Sequence, residues 1–164
     1  GDSHRKDKDF NFLYSSLSMI NTDCKLFLIG KFDKSLYKTV VGNVEIVNVS
    51  KMNKSELVTF LSDKDIFVSS SFYDTFSIAA AECMSSGLVP VVTDHTGISG
   101  LIKNNENGFV VTHGDANELA GKINLLLENS GLRKKVAEKA RKIYEELNWD
   151  KIYSSYEKIY KCRS

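Results

Sequence analysis

The chain has 164 residues and a formal net charge of +1, with 42% hydrophobic and 26% charged residues. This composition is typical of one globular domain and excludes disordered, collagen-like and coiled-coil chains. The near balance of charge provides no broad basic surface, so we predict no nucleic acid partner. Cys24, Cys83 and Cys162 lack metal-ligand spacing, which favours a reduced, cytoplasmic compartment and no metal site.

Segments of helical periodicity alternate with short apolar runs along the chain. The first helix is predicted over residues 10–20. Continuous apolar runs predict strands over residues 25–30, 44–49, 65–70, 88–93 and 108–111. Among them we predict a short helix around residues 57–61 with Ser55 as its N-cap, and a small-residue helix over 78–86 ended by Gly87. Three helices, at about 115–129, 131–147 and 149–161, follow.

Strands that are uniformly apolar and separated by helices indicate a parallel sheet covered on both faces. Because parallel strands need right-handed crossovers, we predict a doubly wound, Rossmann-like α/β fold, with residues 1–164 as a single domain. Ligands of such folds bind beyond the carboxyl ends of the strands. The loops at 30–33, 48–52, 69–76 and 93–97 are therefore the candidate site.

Two carboxylates, Asp74 and Glu82, stand eight residues apart around the predicted start of the small-residue helix. This spacing is a little over two helical turns, so we expect both on roughly one helix face. A helix N-terminus at residues 74–77 would attract phosphate, and Glu82 has two oxygens to accept bonds from ribose hydroxyls. Alternatively, Asp74 is only an N-cap and Glu82 pairs with a lysine.

The C-terminal part of the chain is basic and carries an aromatic stripe. Residues 131–164 contain ten basic and five acidic side chains. Solvated helix faces explain this charge, and attraction to an anionic membrane surface or an anionic partner is the alternative. We interpret Trp149, Ile152, Tyr153 and Tyr156 as core or interlobe packing.

The segment around the two carboxylates resembles a known family. Asp74, seven residues, Glu82, and then Gly-Leu-Val-Pro-Val-Val-Thr at 87–93 are similar to the C-terminal half of group 1 glycosyltransferases of the GT-B fold. Residues 43–71, 96–111, 114–127 and 148–160 resemble further family segments in the same order. The resemblance therefore covers nearly the whole chain.

The resemblance implies a role for each matching residue. Glu82 matches the acid that binds the nucleotide ribose, and Asp74 matches the acid at the donor sugar. Lys8 matches the lysine that neutralises the diphosphate, and Arg5 is the candidate for its basic neighbour. Thr75, Phe76 and Ser77 match residues whose backbone amides contact sugar and phosphate. Asn48 begins the segment that matches the loop around the base.

The implied activity is that of the donor-binding half of a retaining glycosyltransferase of the hexosyltransferase type. It would transfer a sugar from a nucleotide diphosphate sugar to an acceptor hydroxyl in polysaccharide or glycolipid synthesis, without cofactor or metal. The cysteine pattern predicts a cytoplasmic position, and the basic C-terminal part leaves the inner face of the membrane as an alternative. The resemblance also implies that the N-terminal acceptor lobe and the first strand of this lobe are absent, so residues 1–164 alone should be inactive.

The sequence departs from the family pattern at three site positions. Asp74 replaces the usual Glu, and Thr75 and Ser77 replace two glycines, which makes the loop less permissive. Two alternatives follow: a non-catalytic nucleotide- or partner-binding α/β domain with a degenerate transferase site, and a receiver-like signalling domain. The second would need an acid cluster at a first strand, which this chain lacks.

Overall fold

The computed structural model describes residues 8–30 and 39–161, in which helices and strands alternate. The strands are β1 (Cys24–Ile29), β2 (Val40–Val41), β3 (Val44–Val49), β4 (Ile66–Ser69), β5 (Val89–Thr93) and β6 (Phe109–Val111). The helices are α1 (Phe10–Leu17), α2 (Lys54–Leu61), α3 (Ile78–Ser85), α4 (Ala116–Glu128), α5 (Ser130–Arg141), α6 (Ile143–Glu146) and α7 (Trp149–Lys161), with a 3₁₀ helix at Gly97–Leu101. Each predicted strand is present, and the predicted α/β class with parallel strands is confirmed.

The strands pair in two three-stranded groups, in the orders β1-β3-β2 and β4-β5-β6. The pairs β1–β3, β4–β5 and β5–β6 are parallel. The sequence did not predict β2, which pairs antiparallel with β3. A φ of 57° at Gly42 permits the two-residue turn between these strands, because glycine carries no Cβ that would clash there.

Strand β5 lies at the centre of the core, and all five of its residues are buried. Side chains alternate across a strand, so β5 supplies two apolar clusters. Val89 and Val91 pack with residues of α1, α4 and β6, whereas Val92 packs with α3 and Ile98. Helices thus cover both faces, as the parallel arrangement requires.

The start of α2 differs from the prediction. Asn53, not Ser55, is the N-cap: its side chain accepts a hydrogen bond from Glu56 N at 3.0 Å, and the Glu56 carboxylate accepts one from Asn53 N at 2.8 Å. This reciprocal pair is a capping box, which satisfies two backbone donors at once. The Asn-x-x-Glu spacing was the available sequence signal. At the other end of the next helix, Gly87 has a φ of 92° and ends α3 as predicted.

The C-terminal helices also depart from the prediction. The helix expected over 131–147 ends at Arg141, and α6 begins at Ile143, whose side chain is 3% exposed within the α3 cluster. No residue of α7 is buried, and Trp149 is 81% exposed. The aromatic stripe therefore does not pack in the core of this domain, and interlobe packing stays a prediction. None of the helices in the described ranges is long and apolar enough to cross a membrane.

Candidate functional site

The loop after β4 is joined to the loop after β5 by three backbone hydrogen bonds. Asp74 N donates to His95 O at 3.3 Å, Gly97 N to Asp74 O at 3.0 Å, and Ile98 N to Phe76 O at 2.9 Å. Both loops follow the carboxyl ends of parallel strands, where the fold predicts the ligand. The bonds fix residues 74–76 in place before any ligand binds.

Gly97 allows the two loops to approach this closely. A Cβ atom at this position would lie 2.1 Å from the carbonyl oxygen of Thr75 and 2.9 Å from its carbonyl carbon. Neither atom belongs to a side chain that could move away. The sequence placed Gly97 at the edge of a candidate loop but did not reveal this contact, because the partner is 22 residues away.

Asp74 is the centre of a small charged network. Its Oδ1 accepts hydrogen bonds from Ser77 N at 2.8 Å and Phe76 N at 3.3 Å, and its Oδ2 lies 2.9 Å from Lys8 Nζ. Partial burial would raise the pKa of Asp74. The hydrogen bond and charge of Lys8, with the two amides, outweigh that effect and hold the pKa below its ordinary value.

Lys8 belongs to this network although it precedes Asp74 by 66 residues. Besides Asp74, its Nζ donates to Ser71 Oγ at 3.0 Å, and its carbonyl accepts from Ser70 Oγ at 3.0 Å. Ser71 is fixed in turn, because its carbonyl accepts a bond from Thr93 Oγ1 at 2.6 Å. The structure therefore brings the two predicted catalytic residues together, and it adds Ser71 as a buried partner that the sequence did not indicate.

The start of α3 corrects one premise about the carboxylates. The helix begins at Ile78, and its N-cap Ser77 has a left-handed φ of 71° without a side-chain capping bond. Asp74 therefore precedes the helix, so the helical spacing that placed it on one face with Glu82 is wrong. Asp74 instead accepts bonds from the amides of Phe76 and Ser77, two of the predicted phosphate donors. Thr75, the third predicted contact, is exposed.

Glu82 is exposed on α3 and lines the same groove as Lys8 and Ser77. No side chain in the described residues forms an ion pair or hydrogen bond with its carboxylate, so the alternative lysine partner is not found there. Cys83 beside it is 6% exposed. Burial, and then the charge of Glu82, raises the pKa of this thiol to about 12, so Cys83 stays protonated at neutral pH and is a poor nucleophile.

Two predicted ligand contacts are not placed at the groove. Asn48 is exposed within β3, paired in register with Leu28, rather than in a loop. Arg5 lies outside the described residues. Lys51 and Met52, in the loop that follows β3, line the groove instead. Both belong to the candidate loop predicted over residues 48–52, whose first two residues the structure assigns to β3.

A cluster of aromatic rings borders the site on the side of Asp94. The rings of His95 and His113 stack with centroids 5.5 Å apart, and Phe72 meets both edge-on. His113 Nε2 also lies 3.0 Å from Asp9 Oδ2, which ties the loop after β6 to the N-cap of α1. Within residues 8–30 and 39–161, no three His, Cys, Asp or Glu residues are grouped so as to hold a metal ion.

Comparisons with known proteins agree with this arrangement. Residues 3–143 match the family model for glycosyl transferases group 1. The chain is 26% identical over 165 residues to the capsular polysaccharide biosynthesis glycosyltransferase CapM of Staphylococcus aureus, covering 92% of this chain and 43% of that protein. The chain thus spans less than half the length of this relative.

Solved structures share the fold at low sequence identity. The C-terminal domain of a group 1 glycosyl transferase, LpcC of Francisella tularensis, has a TM-score of 0.74 at 20% identity, over 89% of this chain and 82% of that domain. Anabaena HepE in complex with UDP and glucose has the same score and identity, over 85% of this chain and 41% of HepE. With a GT-B fold and a family match over 141 of its residues, the chain belongs to the group 1 glycosyl transferases.

Proposed function

We propose that this chain is the donor-binding part of a retaining glycosyltransferase that uses a nucleotide diphosphate sugar. One observation carries the proposal: Lys8 lines one groove with Ser77 and Glu82, although it precedes Ser77 by 69 residues, and the residues that end β1 and β4 line the same groove. The solved structure of HepE with UDP and glucose supports a nucleotide sugar as the ligand. Polysaccharide or glycolipid synthesis is the proposed setting, in line with the name of CapM.

The amides proposed for the diphosphate differ from those that the resemblance implied. Because the Asp74 carboxylate accepts the Phe76 and Ser77 amides, those donors are already used. The next two amides, of Ile78 and Ala79, belong to the first turn of α3. They have no acceptor among the described residues. We propose that these amides and Lys8 meet the charge of the leaving diphosphate, with no metal required.

Asp74 and Lys8 then act as a coupled pair. A diphosphate that approaches Lys8 has to share the ammonium with Asp74, which frees part of the carboxylate to accept a hydroxyl of the donor sugar. Glu82, whose carboxylate has no partner in the part of the chain that the structure describes, is available for the ribose hydroxyls. Each proposed contact uses a group that the fold already positions, which reduces the entropy lost on binding.

The Glu82→Ala variant tests the nucleotide site. We expect UDP or GDP to bind roughly 10-fold more weakly, because hydrogen bonds to a charged group contribute about 1.5–3 kcal/mol. Calorimetry gives the affinity, and amide chemical shifts locate the ligand. The matched control is Glu138→Ala on α5, which removes another exposed glutamate. Equal affinities for both variants, or shifts that avoid residues 69–82, would reject the site.

The Lys8→Ala variant tests the charge contact separately. We expect UDP to lose roughly 10-fold in affinity while uridine changes little, because only the diphosphate carries the charge that Lys8 meets. Added salt should narrow the difference, since exposed charges are screened over about 10 Å at 0.1 M. Titrations of UDP and uridine at two salt concentrations measure how far their losses of affinity differ. Equal losses for uridine and UDP would exclude the role of Lys8.

The non-catalytic alternative rests on one observation. Both oxygens of the Asp74 carboxylate are already engaged by Lys8 and two amides, and a site closed in this way could exclude the donor. The UDP and GDP titrations separate a donor site from a degenerate site that excludes the donor, because only the former binds the nucleotide at Glu82.

The acceptor side of the cleft is proposed to come from another part of the polypeptide. The chain covers 43% of CapM, and alignment of acceptor and donor can supply about 7–11 kcal/mol of the barrier. Residues 1–164 alone are therefore predicted to lack transferase activity. A cytoplasmic position at the inner membrane face also remains a prediction, which the exposed aromatic face of α7 supports.

A further inference from the structure

A second set of side-chain contacts reaches the neighbourhood of Lys8 from the loop that follows β6. Asp9 is the next residue along the chain, and its two carboxylate oxygens have separate partners. Oδ1 accepts a hydrogen bond from Phe12 N at 3.1 Å and so caps the start of α1. Oδ2 lies 3.0 Å from His113 Nε2. Because an ionised carboxylate only accepts hydrogen bonds, His113 is the donor in this contact.

The ring of His113 is held on several sides, and its side chain is only 15% exposed. It meets the rings of Phe12 and Phe72 edge-on, with centroids 5.1 and 5.3 Å away. It also stacks on the ring of His95. Phe12 belongs to the first turn of α1, which Asp9 caps. The donor at Nε2 therefore has little freedom to turn away from Asp9.

The backbone of His113 is fixed to the loops that also hold Asp74. His113 N donates to Asp94 Oδ1 at 3.0 Å, and Asp94 N donates to Val111 O at 2.9 Å. Asp94 directly follows β5, and the loop that it begins is bonded to residues 74–76. His113 and Asp74 thus lie on three connected loops at the carboxyl ends of β4, β5 and β6. Hydrogen bonds that need no ligand set their relative position.

Lys8 has its own contacts on only one of these loops. Its Nζ donates to Asp74 and Ser71, and its carbonyl accepts from Ser70, all in the loop after β4. A lysine side chain is long and has many rotamers, so contacts at its tip fix it poorly. Consecutive Cα atoms are about 3.8 Å apart, so a displacement of Asp9 also displaces the Lys8 backbone.

We propose that His113 is a positioning residue for Lys8. By holding the Asp9 carboxylate, His113 keeps the adjoining Lys8 backbone in place, so that the ammonium meets Asp74 and the diphosphate in one geometry. His113 does not line the groove, and it therefore acts through Asp9 rather than on the ligand. The contact of Lys8 with the diphosphate rests on the proposed function, whereas its contact with Asp74 does not.

Two substitutions at His113 separate its donor from its ring. His113→Phe keeps an aromatic ring against Phe12 and Phe72 and removes the donor. His113→Gln keeps an N–H donor near the place of Nε2 and removes the ring. Both variants are uncharged at this position, so the loss of any histidine charge affects them equally. We expect the Phe variant to loosen Lys8 and the Gln variant to retain most of the native behaviour.

Acylation of Lys8 by acetic anhydride provides a readout that needs no nucleotide. The amine has to leave Asp74 and Ser71 to react, so its rate reports how firmly it is held. We expect His113→Phe to raise this rate about 3-fold or more relative to the exposed Lys134, and His113→Gln to leave it near the native value. Mass spectrometry of peptide fragments measures both lysines in one sample. Equal Lys8 rates in the native protein and His113→Phe would overturn the proposal.

UDP affinity measures the consequence for the proposed nucleotide site. His113→Phe should weaken UDP roughly 3-fold and uridine little, which is part of the roughly 10-fold loss expected for Lys8→Ala. In a Lys8→Ala background the same change should alter UDP affinity by less than about 1.5-fold, because its effect passes through Lys8. Calorimetry of the native protein, both single variants and the double variant measures this coupling. Losses that multiply in the double variant would show that His113 acts independently of Lys8 and would overturn the proposal.

Asp9→Ser tests the same link from its other side and keeps α1 capped. Serine is a favoured N-cap, so its hydroxyl can still accept from Phe12 N, while the oxygen that meets His113 is removed. We expect the same rise in Lys8 acylation as for His113→Phe, with no further rise when the two changes are combined. An unchanged Lys8 rate in Asp9→Ser would overturn the proposal. Failure of the proposed function alone would leave these acylation results intact and appear as UDP binding that does not depend on Lys8.

Discussion

Gly97→Ala is expected to lower the free energy of unfolding by at least about 3 kcal/mol, at the upper end of the cost of overpacking. The new Cβ would lie 2.1 Å from the carbonyl oxygen of Thr75, far inside the contact distance. Relief requires the two loops to separate, which breaks the bonds from Gly97 N to Asp74 O and from Ile98 N to Phe76 O. The variant should also bind UDP weakly, because these bonds hold Asp74 in place.

Gly100→Ala is the matched control in the same 3₁₀ helix. A Cβ at Gly100 would meet nothing within 4 Å, so this change should be neutral or slightly stabilising, by about 0.4–1 kcal/mol, through reduced freedom of the unfolded chain. Urea denaturation of both variants gives the stability, and amide shifts of residues 74–77 report on the loop. A Gly97→Ala protein as stable as Gly100→Ala would show that the loops can separate without cost.

Asp74→Ala is expected to cost about 2–3 kcal/mol of stability, because it removes a carboxylate that caps two amides and pairs with a half-buried lysine. Asp74→Asn should cost less, since its amide oxygen can still accept from Ser77 N and Phe76 N. The NH2 group in place of Oδ2 loses the charge and the hydrogen bond from Lys8 Nζ. Asp23→Asn is the control, because no hydrogen bond or ion pair of the Asp23 side chain is found among the described residues. Chemical denaturation at pH 7 ranks the three variants.

The loss of folding stability caused by Asp74→Asn should become smaller as pH falls. The pKa of Asp74 is below its ordinary value of 3.8 in the folded protein, so the folded state stays charged where the unfolded chain becomes protonated. The carboxylate therefore contributes its full stability above about pH 4–5, and this contribution is lost as pH falls through the lowered pKa. Urea midpoints from pH 7 to pH 3 should show the native protein and Asp74→Asn converging at low pH. A difference that stays constant to pH 3 would contradict the proposed charge pair.

Much of the architecture could be predicted because strand and helix periods are local properties. The predicted strand over 44–49 matches β3, and Gly87 ends α3 as expected, since a left-handed backbone there favours glycine. The family match confirmed the group 1 resemblance, which rested on a motif spread in order along the chain. The ends of the elements were less predictable. Several polar residues near the start of α2 could cap it, and Asn53 rather than Ser55 does so because only Asn53 forms the reciprocal pair of hydrogen bonds with Glu56.

The candidate site depended more on distant contacts. Asp74 was expected at the start of the helix on one face with Glu82, yet it precedes α3 and bonds to Lys8 and two amides. Its loop is held by backbone hydrogen bonds to residues 95–98. Ser77 was recognised as a replacement for glycine, but only the structure shows its left-handed φ of 71°. For an L-residue this conformation costs roughly 1–2 kcal/mol, and packing around the buried side chain has to offset it.

The sequence by itself determined the order and type of the elements, the family, and the identity of the acidic pair, because these depend on local patterns and on a motif read along the chain. The tertiary structure alone decided which groups remain available. It showed that Phe76 and Ser77 donate to Asp74 while Glu82 has no partner in the described residues, that Gly97 packs against Thr75, and that β1 and β4 face a common groove. Each of these depends on atoms brought together from distant parts of the chain, and a sequence pattern carries no distance between them.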